Sequence, residues 1–173
     1  EVRLGDEEVV GPFEPPANRF DDYEPEALSL LPGWTGACLE RDLKEHSGYF
    51  PHEKLTEKAL RRVMAGYYAT IEHIDEQVGR MVEVLKRKGQ YDNTMIIYTS
   101  DHGEYMGFHH MLLKGNLPYD PLVKVPLIIK YPKRAGIKGG SVSDTLVNNI
   151  DLAPTILAQA GLSPADSMRG HNL

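Results

Sequence analysis

At 173 residues the chain is long enough for one domain with a buried core, and its apolar and charged content is ordinary for a globular protein. A formal net charge of -6 argues against a nucleic-acid partner, which wants a basic face, and no apolar run approaches membrane-spanning length. The single Cys38 excludes an internal disulfide framework and any multi-cysteine metal site.

Residues 1–55 are rich in Pro, Gly and acids and keep no sustained period, so they read as a loop-rich segment wrapping the surface of the same domain. Turns are expected at 11–16 and 31–33, an acidic loop at 20–25, and a short helix at 38–45. From Thr56 the pattern sharpens. Leu60, Val63, Tyr67, Ile71, Ile74, Val78, Met81 and Leu85 follow at steps of three or four, which predicts one helix over 56–88. Thr56 is its N-cap, Lys86, Arg87 and Lys88 suit its C-terminal dipole, and Gly89 stops it. Gly79, costly inside a helix, reads as a point of close packing, and His73 and Asp75 as polar groups at the edge of the stripe.

Asp92-Asn93 turns the chain into an apolar strand at 94–99, the αβ half of a parallel-sheet unit. A long irregular loop follows, then a second strand at 125–130 with Pro126 at its start, a basic turn at 132–140 and a third short strand at 141–147. Asp151 caps a last helix with Pro154 in its first turn and Gly161 as its stop. The second segment, 56–173, thus has an α/β pattern.

The chemistry concentrates just after the first strand, in Ser100-Asp101-His102-Gly103-Glu104. Loops leaving the carboxyl ends of strands form ligand sites in open α/β sheets. A carboxylate beside an imidazole suits a hard or borderline divalent cation. Gly103 allows close backbone approach, and Lys114 offers a compact positive charge for an anionic oxygen.

The run Ser100-Asp-His-Gly-Glu-Tyr-Met-Gly107-Phe-His-His-Met-Leu-Leu-Lys114, with Val125-Pro-Leu-Ile-Ile-Lys-Tyr-Pro132 behind it, closely resembles the sulfatase family of the alkaline-phosphatase-like superfamily. There the pattern is S-D-H-G-x-x-x-G-x-H, a Lys and then a V-P-L strand. The resemblance covers roughly 55–173 and implies the later part of an alkaline-phosphatase-like α/β/α sandwich with a mixed, largely parallel sheet. It implies Asp101 and His102 as part of a metal shell, calcium most often, Lys114 as a catalytic and substrate-binding group, and His109 as a substrate-binding histidine. His110 either contacts substrate or fills the loop, and Asp75 is structural. The substrate would be a sulfate-ester small molecule or a sulfated glycan, and the partner the rest of the catalytic domain.

Sulfatases use a formylglycine made from a C/S-x-P/A-x-R motif. Cys38 is followed by Leu39, Glu40, Arg41 and Asp42 and does not match, so it reads as an ordinary cysteine. The family's Asp-Asp metal pair and the active-site histidine ahead of the long helix are also absent. The nucleophile would therefore come from a part of the protein not in this chain. Three rivals remain. A related phosphonate monoester or phosphodiester hydrolase would favour manganese. A non-catalytic module would keep the fold without the chemistry. A zinc hydrolase on His102, His109 and His110 lacks the helical His-Glu-x-x-His arrangement.

Overall fold

The computed structural model describes residues 13, 15–16, 19–46 and 51–173, and the backbone alone at 3–4 and 9–10. Half of the turn expected at 11–16, residues 11, 12 and 14, lies outside the described residues. The chain divides into two units, Glu1–Glu83 with His102–Val125, and Val84–Asp101 with Pro126–Leu173.

In the first unit, β1 (Arg3–Leu4) pairs antiparallel with β2 (Val9–Val10), a ladder that the irregular composition gave no sign of. Helix α1 (Glu40–His46) starts two residues later and ends one later than expected, and it buries Asp42 and His46. Helix α2 (Glu57–Arg87) matches its periodicity, and the Thr56 hydroxyl caps it by accepting from the Ala59 amide at 3.1 Å. Its first half carries the core. Leu60, Val63 and Met64 pack with Leu55, Ala59, Met106 and Leu112, under a rim that includes Phe13, Leu28, Trp34 and Tyr67.

The upstream segment lies along that same half of α2. The Phe13 ring meets the Tyr67 ring edge-on at 4.8 Å, and Arg19 reaches Glu72 at 3.4 Å. A smaller core joins Tyr105, Met111 and Leu122, with Cys38, Phe108 and Tyr119 around it. Further along α2 the apolar stripe meets little. Ile71 and Ile74 are exposed and Met81 is 60% exposed. Gly79, expected at a close packing point, has open space where a side chain would stand.

In the second unit, Gly89 closes α2 with φ 64° and a 3-10 turn at Tyr91–Asn93 leads into β3 (Ile96–Thr99). Its partner is β4 (Leu127–Lys130), which pairs antiparallel from Ile96 opposite Lys130 to Thr99 opposite Leu127. The αβ pattern therefore does not place these two strands side by side in parallel. The Lys130 ammonium ties the ladder to the preceding turn, donating to the Tyr91 and Thr94 carbonyls and lying 4.3 Å from the Tyr91 ring centre.

Residues 141–147, expected as a third strand, form none. Val142 and Leu146 are almost fully exposed. A strand's backbone groups need a ladder partner, and among the described residues none is offered here. Helix α3 (Leu152–Gln159) stops at Gly161 with φ 74°, as expected. Asp151, expected as its cap, stands at the N-cap position but makes no side-chain cap bond to it. Its carboxylate accepts from the Asn148 amide at 2.8 Å and the His171 amide at 2.7 Å, so it holds the tail against the helix entrance. These amide bonds keep its pKa below the ordinary carboxylate value. No helix among the described residues is long and apolar enough to cross a membrane.

Candidate active site

The loop from Gly103 to Leu113 is shaped by two devices. The first is backbone strain: Met106, His109, His110 and Leu113 all take positive φ, between 44° and 65°, with Gly107 at 91° among them. Non-glycine residues rarely adopt that region, and such outliers gather at functional sites where the surroundings over-determine them. The second is Glu104, whose Oε1 accepts from the amides of Met106 and Leu113 and so staples the loop's two ends together. Burial raises the Glu104 carboxyl to about 7 against the pull of those two amides.

Two glycines let this loop seat. A side chain at Gly103 would put its Cβ 1.9 Å from the Pro121 carbonyl oxygen, and one at Gly33 would meet the Phe108 ring at 2.3 Å. The small residue at 103 thus serves the protein's own backbone, where a ligand was expected. Its amide donates to the Leu122 carbonyl at 2.7 Å. Gly103→Ala should cost the complete protein about 3 kcal/mol or more, since the obstruction is backbone that cannot swing aside. Chemical denaturation measures it, and an unchanged midpoint would contradict the packing described here.

His102 and Lys114 come together at one end of the loop. The Nδ1–H of His102 donates to the Gly103 carbonyl at 2.8 Å, which leaves the ring's lone pair on Nε2. The Lys114 ammonium stands 3.0 Å from that nitrogen. Lys114 is exposed and His102 half-buried. A backbone carbonyl on one ring nitrogen is the usual orienting partner of a metal-ligating histidine.

In the second unit, Asp101 is exposed at the end of β3, and the Ser100 hydroxyl donates to its Oδ1 at 3.4 Å. The Asn149 amide donates to the backbone carbonyls of Ser100 and Asp101 at 3.3 and 3.4 Å and steadies the strand's exit. Asn149 escaped the sequence reading, because its role depends on a contact 48 residues away. No group of three or more His, Cys, Asp or Glu among the described residues is arranged to hold an ion. Imidazole nitrogen and carboxylate oxygen are each suitable donors for a divalent cation.

His109 and His110 part company. His109 Nδ1 lies 2.9 Å from Asp42 Oδ2, with its ring between Phe108 and Tyr119. His110 turns inward, stacks on Trp34 at 4.6 Å and donates from Nε2 to the His52 carbonyl at 2.9 Å. It fills the loop. The three rings face separate partners, and among the described residues they are not grouped to hold an ion together.

Behind the loop lies a buried histidine pair that the sequence did not reveal. His46 Nδ1 and His52 Nε2 are 3.1 Å apart, and His46 Nε2 donates to the Lys114 carbonyl at 3.2 Å. Burial, then the neighbouring His52, lowers the His46 pKa. The one available signal was the four-residue spacing of Asp42 and His46, which puts both on the inner face of α1. Cys38 packs into the small core, and burial followed by the nearby Asp42 charge pushes its thiol up, against service as a nucleophile.

The sulfatase family model matches residues 12–162, and the chain belongs to the sulfatase family. The match reaches upstream of the recognisable 55–173 motif region and takes in Asp42, His46 and His52. The chain is 36% identical over 170 residues to an arylsulfatase of Clostridium perfringens, covering 94% of this chain and 34% of that protein. It is 36% identical over 140 residues to an N-acetylglucosamine-6-O-sulfatase of Bacteroides thetaiotaomicron, covering 81% of this chain and 25% of that protein. It also superposes on phosphonate monoester hydrolase SpPMH from Silicibacter pomeroyi with a TM-score of 0.78 and 31% identity, over 94% of this chain and 34% of that chain. The chain thus spans a quarter to a third of the length of these relatives.

Proposed function

We propose that the complete protein is a sulfuric ester hydrolase and that this chain is the later part of its catalytic α/β domain, with 1–55 as a loop-rich segment of that domain and 56–173 carrying the site. The observation that carries this reading is the pairing of Lys114 with the Nε2 face of His102 at 3.0 Å, on a loop held in strained backbone. Asp101 and His102 would contribute to the shell of a divalent cation, calcium in the sulfatase reading. Such an ion would neutralise nonbridging oxygens of the bound ester. Giving its Nδ1 proton to Gly103 leaves His102 Nε2 unprotonated; that nitrogen accepts from Lys114, and a cation bound there would take the ammonium's place on it. Lys114 binds an anionic ester oxygen and stabilises charge that builds there, and His109 offers its imidazole to the substrate.

The nucleophile would be a formylglycine from a part of the protein outside this chain, because Cys38 has neither the motif nor the thiolate character. The substrate class is a sulfate ester, with sulfated amino sugars favoured by the likeness to the Bacteroides enzyme. The remainder of the same domain would cover the apolar face of α2 at Ile71, Ile74 and Met81. It would also extend β3 and β4 into a mixed, largely parallel sheet of an α/β/α sandwich, since Tyr98 and the 63%-exposed Ile128 present apolar surface there.

A second reading has its own support. The superposition on a phosphonate monoester hydrolase and the imidazole donor both suit a manganese-dependent phosphonate or phosphate ester hydrolase of the same architecture. Peptide mass mapping of the complete protein tests the nucleophile common to this scheme. A formylglycine at an upstream C/S-x-P/A-x-R cysteine or serine, with Cys38 an unmodified thiol, is expected. The absence of any such residue would leave a non-catalytic module.

A further inference from the structure

We propose that Asp42 is a positioning residue for His109, fixing the imidazole with its proton on Nδ1 and its lone pair on Nε2, the form that accepts a proton or hydrogen bond from substrate or water. The proposal rests on the reading of His109 as a substrate-binding residue. Asp42 is only 1% exposed. Its Oδ2 lies 2.9 Å from His109 Nδ1, while Oδ1 accepts from the Tyr119 hydroxyl at 2.8 Å and from Arg41 Nε at 3.2 Å. Arg41 also donates to the Tyr119 hydroxyl at 3.0 Å. Both carboxylate oxygens are committed, so the group cannot turn away from the ring.

The imidazole is held from every other side as well. Phe108 stacks on it at 4.1 Å and 20°, and the Tyr119 ring meets it edge-on at 4.7 Å. Its own amide donates to the Gly33 carbonyl at 2.8 Å, with φ at 49°. Nε2 makes no hydrogen bond among the described residues, which leaves it for a molecule from outside. Burial pushes the Asp42 carboxyl up, but the bonds from Tyr119 and His109 and the charge of Arg41 outweigh it and keep the group ionised. A buried carboxylate is a poor choice for stability alone, because apolar replacements of buried ion pairs are often neutral or better. Holding one ring tautomer is what a carboxylate at Nδ1 does well.

Asp42→Asn in the complete protein is the test. Tyr119 and Arg41 keep an oxygen facing them, so the new amide nitrogen faces His109 and drives the ring proton to Nε2. The expected result is a loss of about 10- to 100-fold in kcat/KM, carried by kcat. Ring nitrogen–proton NMR correlations should show His109 protonated on Nδ1 in the parent and on Nε2 in the variant. In a His109→Ala background the same substitution should have no further effect. A loss that persists undiminished there, or a parent ring carrying its proton on Nε2, would overturn the proposal. So would normal turnover by His109→Ala, which leaves the hydrolase reading standing. If Asp42→Asn does not fold, Tyr119→Phe replaces it, with a few-fold loss that must also vanish without His109. If the complete protein hydrolyses no ester, the hydrolase reading fails and the ring correlations alone decide the tautomer.

Discussion

Lys114→Ala in the complete protein should lower kcat/KM about 10²- to 10³-fold with the fold unchanged. Removing one preorganised donor at a developing oxyanion typically has that effect. Lys114 is exposed, and its ammonium's neighbour is the His102 ring, so truncating it removes no core packing. Its backbone carbonyl, which accepts from His46, survives the substitution. The thermal midpoint should therefore hold while turnover falls. Adding divalent metal should not restore the lost rate, because the missing group is a fixed cation of the protein. A variant as active as the parent would remove Lys114 from the site.

His102→Ala should fail differently. Losing an imidazole ligand should weaken metal binding and lower kcat/KM by about 100-fold or more, since even partners that only orient a ligand are worth 10- to 100-fold. Excess metal should recover part of that rate, in contrast to Lys114→Ala. The two are neighbours at 3.0 Å, so the double variant should lose less than the product of the single losses. Metal content after gel filtration, compared across parent and variants, separates the two roles. Full metal occupancy in His102→Ala would place the ion elsewhere.

Much of this arrangement is legible in the sequence where the signal is local. Thr56, Gly89 and a three-and-four apolar spacing fix α2 to within a residue at either end, because caps and periodicity are short-range physics. Asp101, His102 and Lys114 stand out because a strand turns abruptly polar, and His102 and Lys114 are indeed neighbours. The rest depends on contacts no window reveals. Asp42 becomes notable only when His109 and Tyr119, more than 65 residues away, close on it. The pairing sense of β3 and β4 is set by how the loop between them returns, which composition does not encode. Residues 141–147 read as a strand but find no ladder partner among the described residues, and no local window shows that.

The measurement that bears most directly on the central claim is steady-state turnover by the complete, metal-loaded protein of an aryl sulfate against the matching aryl phosphonate monoester. The higher kcat/KM is expected on the sulfate, lost on chelation, restored by calcium and reduced by Lys114→Ala. Preference for the phosphonate with restoration by manganese would move the protein to the second reading. Turnover of neither ester, with the metal bound and Lys114 and His102 intact, would contradict a hydrolase altogether.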